Sequence, residues 1–475
     1  MLFSSMEFLF LFFPIVLIGY FLLHPKARNY WLLVTSLFFY AWGEPKFVLA
    51  MLFSIVCNYV AALAIDLLRG RKTVCKLILA LDLVINLGIL FVFKYMNIVT
   101  GSIHSMFPQT QTLFEQTSFV LPIGISFFTF QALSYVVDVY RGIPARKNPF
   151  YVGLYISLFP QLIAGPIVRY TTIMDQIEER TITKDGFCHG VLRFLYGFNK
   201  KVLLANLFAT VADTAFGADE LSVGMAWLGA ICYSLQIFFD FSGYSEMAIG
   251  LGEMFGFHFL ENFNYPYISK TVTEFWRRWH ISLGTWFRDY VYFPLGGSRV
   301  NSKLRLVFNL AVVWLATGIW HGANWTFLLW GILHGSVIIA EKLMGVPKKV
   351  EEKKNFSVVY RIVTLLVVLL GWVMFRAESV GAGFSYIGSM FALNGSAPVD
   401  GQFVFWFREY LVILVAGVLC SMPVFAWMKE KLAKKREKVE LACTCLGYAV
   451  QLILFVVSVS YLVMDAHNPF IYFNF

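Results

Sequence analysis

The sequence is short of charge. Only 14% of its 475 residues are Asp, Glu, Lys or Arg, against about 25% in an average soluble domain. Cysteine is also sparse. Its seven residues form no CxxC pair, Cys443 and Cys445 making only a CxC, and most lie in or beside apolar stretches. They read as apolar filler, and not as a disulfide framework or a metal site. The eight histidines show no HxxxH or HExxH spacing and do not cluster with cysteine, so no metal-ligand set is expected. A phosphate-binding P-loop is absent, and the glycines of GLGEMFG (250–256) are not framed by a strand–turn–helix unit. The first seven residues contain no base and no A-x-A-like site follows, so Phe8–Leu23 is expected to be a retained first span and not a cleaved signal. No Pro/Ser-rich linker and no internal repeat divides the chain, and residues 1–475 are read as one membrane domain.

What the sequence has in abundance is apolar surface. Apolar residues make up 59% and aromatics 18%, and the mean hydropathy is +0.68. A water-soluble globule has no interior large enough to hide that much, and disordered or collagen-like chains have opposite compositions. The apolar stretches run unbroken for about 20 residues without period-two alternation, which favours membrane helices over a β-barrel. The expected fold is all-α and polytopic, with about ten to thirteen transmembrane helices plus re-entrant or interfacial amphipathic segments.

The net charge of +9 is topological and does not point to nucleic acid. Spans are expected at about 7–23, 30–42, 46–67, 77–95 and 119–140, then at about 357–375, 404–428 and 442–464. Bases gather after the first, third and fifth, as in Arg69–Lys72 and Arg141–Lys147, while the stretch 97–118 carries none. The loops 342–354 and 429–438 are again rich in lysine. That alternation puts the basic loops in the cytoplasm and both chain ends outside.

The middle is polar where a membrane protein can least tolerate it. LQIFFDFSGYSEMAIGLGEMFGF (235–257) sets Asp240, Ser242, Tyr244, Ser245, Glu246 and Glu253 among apolar residues. Between Lys270 and Arg305, seven bases face two acids, with Trp276, Trp279, Trp286, Tyr290 and Tyr292 interleaved. This is no spanning helix. It reads as an interfacial or re-entrant segment that either attracts anionic lipid or cradles an anionic substrate through Arg277, Arg278 and Arg288. TGIWHGANWTFLLWGILHG (317–335) then places His321 and His334 inside an apolar run, and His280 ends FWRRWH. An ionisable side chain at membrane depth marks a pathway or a reaction site, so His321 and His280 are the leading catalytic candidates, with His334 and Asp240 behind them.

These residues carry a resemblance. SLFFYAWGEP (36–45), LPIGISFFTFQALSYVVDVYRG (121–142), FPQLIAGPIVRY (159–170), FFDFSGYSEMAIGLG (238–252), NFNYPYISKTVTEFWRRWHISLGTWFRDYVYFPLGG (262–297), GIWHGANWTFLLWGILHG (318–335) and NPFIYFNF (468–475) are similar to the membrane-bound O-acyltransferase (MBOAT) family, in its alginate O-acetylase branch. The resemblance implies the MBOAT fold, a cytoplasmic acetyl-CoA donor, an extracytoplasmic polysaccharide acceptor, and two histidines near a tunnel through the membrane, here His280 and His321. It also implies an extracytoplasmic SGNH-hydrolase-like partner and residence in the cell membrane. No permanently bound cofactor is implied.

The chemistry is consistent with that. Acyl transfer from a thioester to a hydroxyl needs a base and an oxyanion stabiliser, and imidazole titrates near ambient pH. Asn324, one turn past His321, either assists the imidazole or the oxyanion or bonds a neighbouring helix. A secondary transporter using His280 and His321 as a proton relay is the main competing reading, but it calls for two related halves that the sequence does not show.

The charge alternation yields a direct test. In intact cells, a cysteine placed at Lys349 should resist an impermeant thiol reagent added outside and react once the membrane is opened; labelling from outside would overturn the topology.

Overall fold

The computed structural model describes residues 1–107, 119–424, 426–428, 437–464 and 468–471. Residues 108–118 of the neutral linker, 429–436 of the last basic loop, and Phe475 lie outside the described residues. Among those described, all regular structure is helical, with no strand. Eight helices are long and apolar enough to cross a membrane: Val48–Leu67, Lys72–Ile103, Val223–Met254, Lys303–His321, Trp325–Leu343, Lys354–Arg376, Gly401–Cys420 and Cys445–Val463. Two further apolar helices, Phe8–Leu22 and Ile125–Tyr140, are shorter. The chain is a multi-pass membrane protein, as its composition demands.

The chain divides into two compact units, one formed by Met1–Val191 and Ala248–Leu260, the other by Leu192–Met247 and Glu261–Phe475. In the first unit, α1 (Phe8–Leu22) leads to α2 (Pro25–Gly43), which begins with Pro25 at its first position and ends at Gly43, with Glu44 and Pro45 following. Helix α3 (Val48–Leu67) packs against α4 (Lys72–Met106) and α5 (Ile125–Tyr140). Without water at membrane depth, polar side chains must pair with one another. The Asn58 amide donates to Asn86 Oδ1 at 2.9 Å, and the Ser54 hydroxyl approaches the same oxygen at 3.3 Å. Arg180 is held by Asn29 Oδ1, the Tyr20 hydroxyl and the Phe255 carbonyl, at 2.7, 2.9 and 2.9 Å.

The second unit contains α6 (Val223–Met254, whose last turns belong to the first unit), the short α7 (Val272–Arg278) and α8 (Ile281–Phe287), then α9 (Lys303–His321), α10 (Trp325–Leu343) and α11 (Lys354–Arg376). As expected, the aromatic and basic stretch does not span: α7 and α8 are seven residues each, broken at Trp279 and His280. Helices α9 and α10 form a hairpin with its backbones in near contact. A Cβ at Gly318 would lie 2.8 Å from the Phe327 carbonyl, and one at Gly331 2.7 Å from the Trp314 carbonyl. Small residues at such crossings give membrane helices their packing gain.

A buried ion pair ties a distant segment into the same unit. Lys201 Nζ lies 2.7 Å from Asp240 Oδ1, with side-chain exposures of 1% and 2%. Lys201 also donates to Asn206 Oδ1 at 2.8 Å and to the Pro469 carbonyl. Asp240 Oδ2 accepts the Ile471 N–H at 2.9 Å, Asn206 donates to Asn468 Oδ1 at 3.1 Å, and Phe470 stacks on Tyr244 with centroids 5.0 Å apart. Asp240 therefore serves to dock Asn468–Ile471. Removing one partner of such a pair leaves a bare charge inside and costs about 3–5 kcal/mol. Asp240→Ala should accordingly lower the melting temperature of the detergent-solubilised protein, while Asp240→Ala combined with Lys201→Met should recover most of the loss.

Candidate active site

The site is assembled from the bottom by helix caps. Thr271 caps α7 by accepting the Glu274 N–H at 3.0 Å. The same helix start receives a carboxylate from across the unit: Glu341, fully buried near the end of α10, accepts from the Val272 and Thr273 N–H groups at 2.7 and 2.8 Å and from the Thr273 hydroxyl at 2.6 Å. A negative charge against exposed N–H groups is the favoured complement of a helix N-terminus. Helix α7, carrying FWRRW, is thus seated on α10 by hydrogen bonds. At its end the chain turns sharply. His280 has a φ of +46°, a left-handed conformation that a residue with a side chain adopts only when its surroundings impose it.

Those surroundings are the segment Asn262–Asn264. The Asn264 N–H donates to the Arg278 carbonyl and the Ile281 N–H to the Asn262 carbonyl, both at 2.9 Å. The Asn262 side chain is buried. Its Oδ1 lies 3.1 Å from His280 Nδ1, 3.2 Å from the Ser282 N–H and 2.8 Å from the Ser282 hydroxyl, and its Nδ2 donates to Ser245 Oγ at 3.0 Å. Only its place within a long motif could have drawn attention to Asn262, and sequence reasoning missed it.

The two leading histidines are brought together. His280 is 3% exposed and His321 7%. Both rings face Trp320, whose centroid is 6.1 Å from His280 and 5.0 Å from His321. His280 also meets the Phe241 ring edge-on at 4.6 Å. His321 is enclosed further by Trp330 and Phe375, at 4.9 and 5.2 Å. The Trp330 indole N–H is buried and makes no hydrogen bond among the described residues.

The other candidates lie elsewhere or are already engaged. His334 is buried with its Nδ1 accepting the Trp276 indole N–H at 3.2 Å, boxed by Trp314 and Trp330. Asn324 is the N-cap of α10: its Oδ1 accepts the Thr326 N–H at 3.1 Å, and its Nδ2 donates to the Glu378 carbonyl at 2.9 Å. These two bonds place it between the start of α10 and the residues that follow α11. Arg278 pairs with Glu274 at 2.9 Å and bonds the Asn264 carbonyl. Arg288 pairs with its neighbour Asp289 at 2.8 Å, a hydrogen bond that pushes its pKa up. Arg277 is exposed and carries no ion pair among the described residues. Among the described residues no group of three or more His, Cys, Asp or Glu is arranged to hold a metal ion.

The sequence has known counterparts. The family model for "MBOAT, membrane-bound O-acyltransferase family" matches residues 37–380. Over 503 residues, covering all of both chains, the sequence is 39% identical to the "Probable alginate O-acetylase AlgI" of Azotobacter vinelandii. The protein of the same name from Pseudomonas aeruginosa is 44% identical over 83% of this chain and 75% of its own length. The "Peptidoglycan O-acetyltransferase" of Helicobacter pylori is 35% identical over 83% and 80%. The chain belongs to the membrane-bound O-acyltransferase family. It is a multi-pass membrane enzyme that transfers acyl groups to oxygen.

Proposed function

We propose that the enzyme takes an acetyl group from cytoplasmic acetyl-CoA and passes it through the cell membrane to a hydroxyl of an exported polysaccharide, alginate or another exopolysaccharide. The observation that carries this is the pair of buried imidazoles sharing Trp320, in a chain similar along its whole length to an alginate O-acetylase. A peptidoglycan acceptor is the second reading, favoured by the Helicobacter relative. An extracytoplasmic SGNH-hydrolase-type protein completes delivery to the sugar. Membrane placement suits this division of labour, since a phosphate-bearing thioester cannot cross hydrocarbon while an acetyl group moved inside a protein can.

In the transfer, His321 accepts the proton of the incoming hydroxyl as its oxygen bonds to the thioester carbonyl carbon. The carbonyl becomes an oxyanion, for which the buried Trp330 N–H is the nearby donor. Collapse reforms the C=O, breaks the C–S bond and returns the proton from the imidazolium to the departing sulfur, so that an ester and a free thiol leave. His280 is the second essential group on the route. Of the three arginines expected to hold the donor's phosphates, Arg277 is the one with no ion pair among the described residues, and guanidinium–phosphate pairing is geometrically favoured.

The variants to compare are matched for expression and scored by O-acetyl content of the exported polymer. Loss of a general base costs about 10²–10⁴-fold, so His321→Ala and His321→Gln should both abolish detectable acetylation in folded protein. Trp330→Phe should slow turnover by about 10²-fold, the lower end for losing one oxyanion donor. His280→Ala should be impaired, and His334→Ala should retain most activity per folded molecule. Near-normal acetylation with His321→Ala would overturn the assignment.

Donor binding is tested separately. Arg277→Glu should raise the apparent donor KM more than it lowers kcat. Unchanged donor kinetics in charge reversals of Arg277, Arg278 and Arg288 alike would make this segment a lipid anchor alone.

A further inference from the structure

We infer that Asn262 is a positioning residue that fixes the tautomer of His280, leaving the lone pair of His280 on Nε2. This deepens the acyl-transfer reading and rests on it for its catalytic meaning. The argument begins with the backbone. The Ser282 N–H can only donate, and it points to one atom of the Asn262 amide at 3.2 Å, which identifies that atom as the oxygen. The other amide atom, Nδ2, donates to Ser245 Oγ at 3.0 Å. An amide oxygen can only accept, so His280 Nδ1, 3.1 Å away, must carry its proton toward it. The Ser282 hydroxyl gives its single proton to the same oxygen at 2.8 Å and can only accept at its 3.4 Å approach to His280 Nδ1. These contacts agree with one proton arrangement. In a neutral imidazole with a proton on Nδ1, Nε2 is the basic atom.

His334 shows the opposite arrangement in the same unit. Its Nδ1 accepts the Trp276 N–H, so its proton sits on Nε2 and its basic nitrogen is already occupied. Asn262 and Trp276 thus set His280 and His334 in opposite tautomers, with the basic nitrogen of His280 at Nε2. The cost is visible in the backbone: Asn262 also accepts the Ile281 N–H, holding His280 at its left-handed φ of +46°. An imidazole held by an acceptor at Nδ1 so that Nε2 can take a proton is the general arrangement of an oriented base.

Charges near His280 are already balanced. On α6, Asp240 pairs with Lys201 and Glu246 with Arg193; Glu261 also pairs with Arg193. On α7, Glu274 pairs with Arg278, and Arg277 is exposed. On α9, His321 lies across Trp320. A carboxylate placed at position 262 would therefore be the new charge facing the ring.

The test uses the full-length protein in detergent or nanodiscs, with selectively ¹⁵N-labelled histidine. The His280 ring signals, assigned by their loss in His280→Gln, should show a protonated Nδ1 and an unprotonated Nε2. In Asn262→Leu, which keeps the volume and removes the acceptor, the proton should redistribute to Nε2 and thioester turnover should fall by about 10²-fold or more, with donor KM little changed. Asn262→Asp keeps the acceptor and favours the imidazolium. It should retain turnover far better than Asn262→Leu and shift the acidic limb of its pH–rate profile to higher pH. A wild-type signal with the proton on Nε2 would overturn the assignment, as would equal turnover and identical pH profiles in both variants. If Asn262→Leu fails to fold, the wild-type spectrum and the Asn262→Asp profile still decide. A wild-type protein that consumes no acetyl-CoA would instead sink the acyl-transfer reading, and the ring-nitrogen spectrum would still decide the tautomer.

Discussion

At Gly318 and Gly331 two helix backbones come so close that a single methyl group on either would collide with the other. The rest of the candidate site depends on that approach. It brings α10 against the end of α9, where His321 meets the Trp330 ring. It also brings Glu341, about three turns further along α10, to the start of α7. From α7 follow the turn at His280 and its contact with Trp320. A membrane offers no hydrophobic drive for helices to associate, so dispersion between closely fitted backbones has to do it. The glycines that make GIWHG and LLWGILHG conspicuous in the sequence are what permit that fit.

The second governing constraint is that nothing polar may be left exposed to hydrocarbon. Each buried charge of the catalytic unit has a definite occupation: Asp240 holds Lys201 and the Ile471 N–H, Glu341 caps a helix, and Arg193 is shared by Glu246 and Glu261. His280 and His321 both lie against Trp320, and Trp330 borders His321.

The fold was legible because apolar runs of membrane length leave little choice, and helices Val48–Leu67, Lys354–Arg376 and Gly401–Cys420 lie close to where hydropathy puts them. His280 and His321 stood out because an ionisable group amid Trp, Gly and Leu is conspicuous in one dimension. Asn262 was not legible, because it sits eighteen residues from His280 in a stretch full of Asn, Tyr and Ser. Glu341 looked like the polar edge of a span, and only the fold shows it receiving three hydrogen bonds. Nor could the pattern of bases separate Arg278 and Arg288, committed to Glu274 and Asp289, from Arg277, because a charge count does not say which charges have met.

The docking of Asn468–Ile471 also bears on how the molecule is made. Asp240 leaves the ribosome 231 residues before the Ile471 N–H it will hold, and Lys201 precedes its Pro469 partner by 268. During synthesis the helix that carries Asp240 and Phe241, the latter a wall of the His280 site, must wait in the membrane with its ion pair incompletely solvated. The unit that holds the catalytic groups can close only after the segment at 468–471 has emerged, so a chain halted earlier is an inserted but unfinished enzyme.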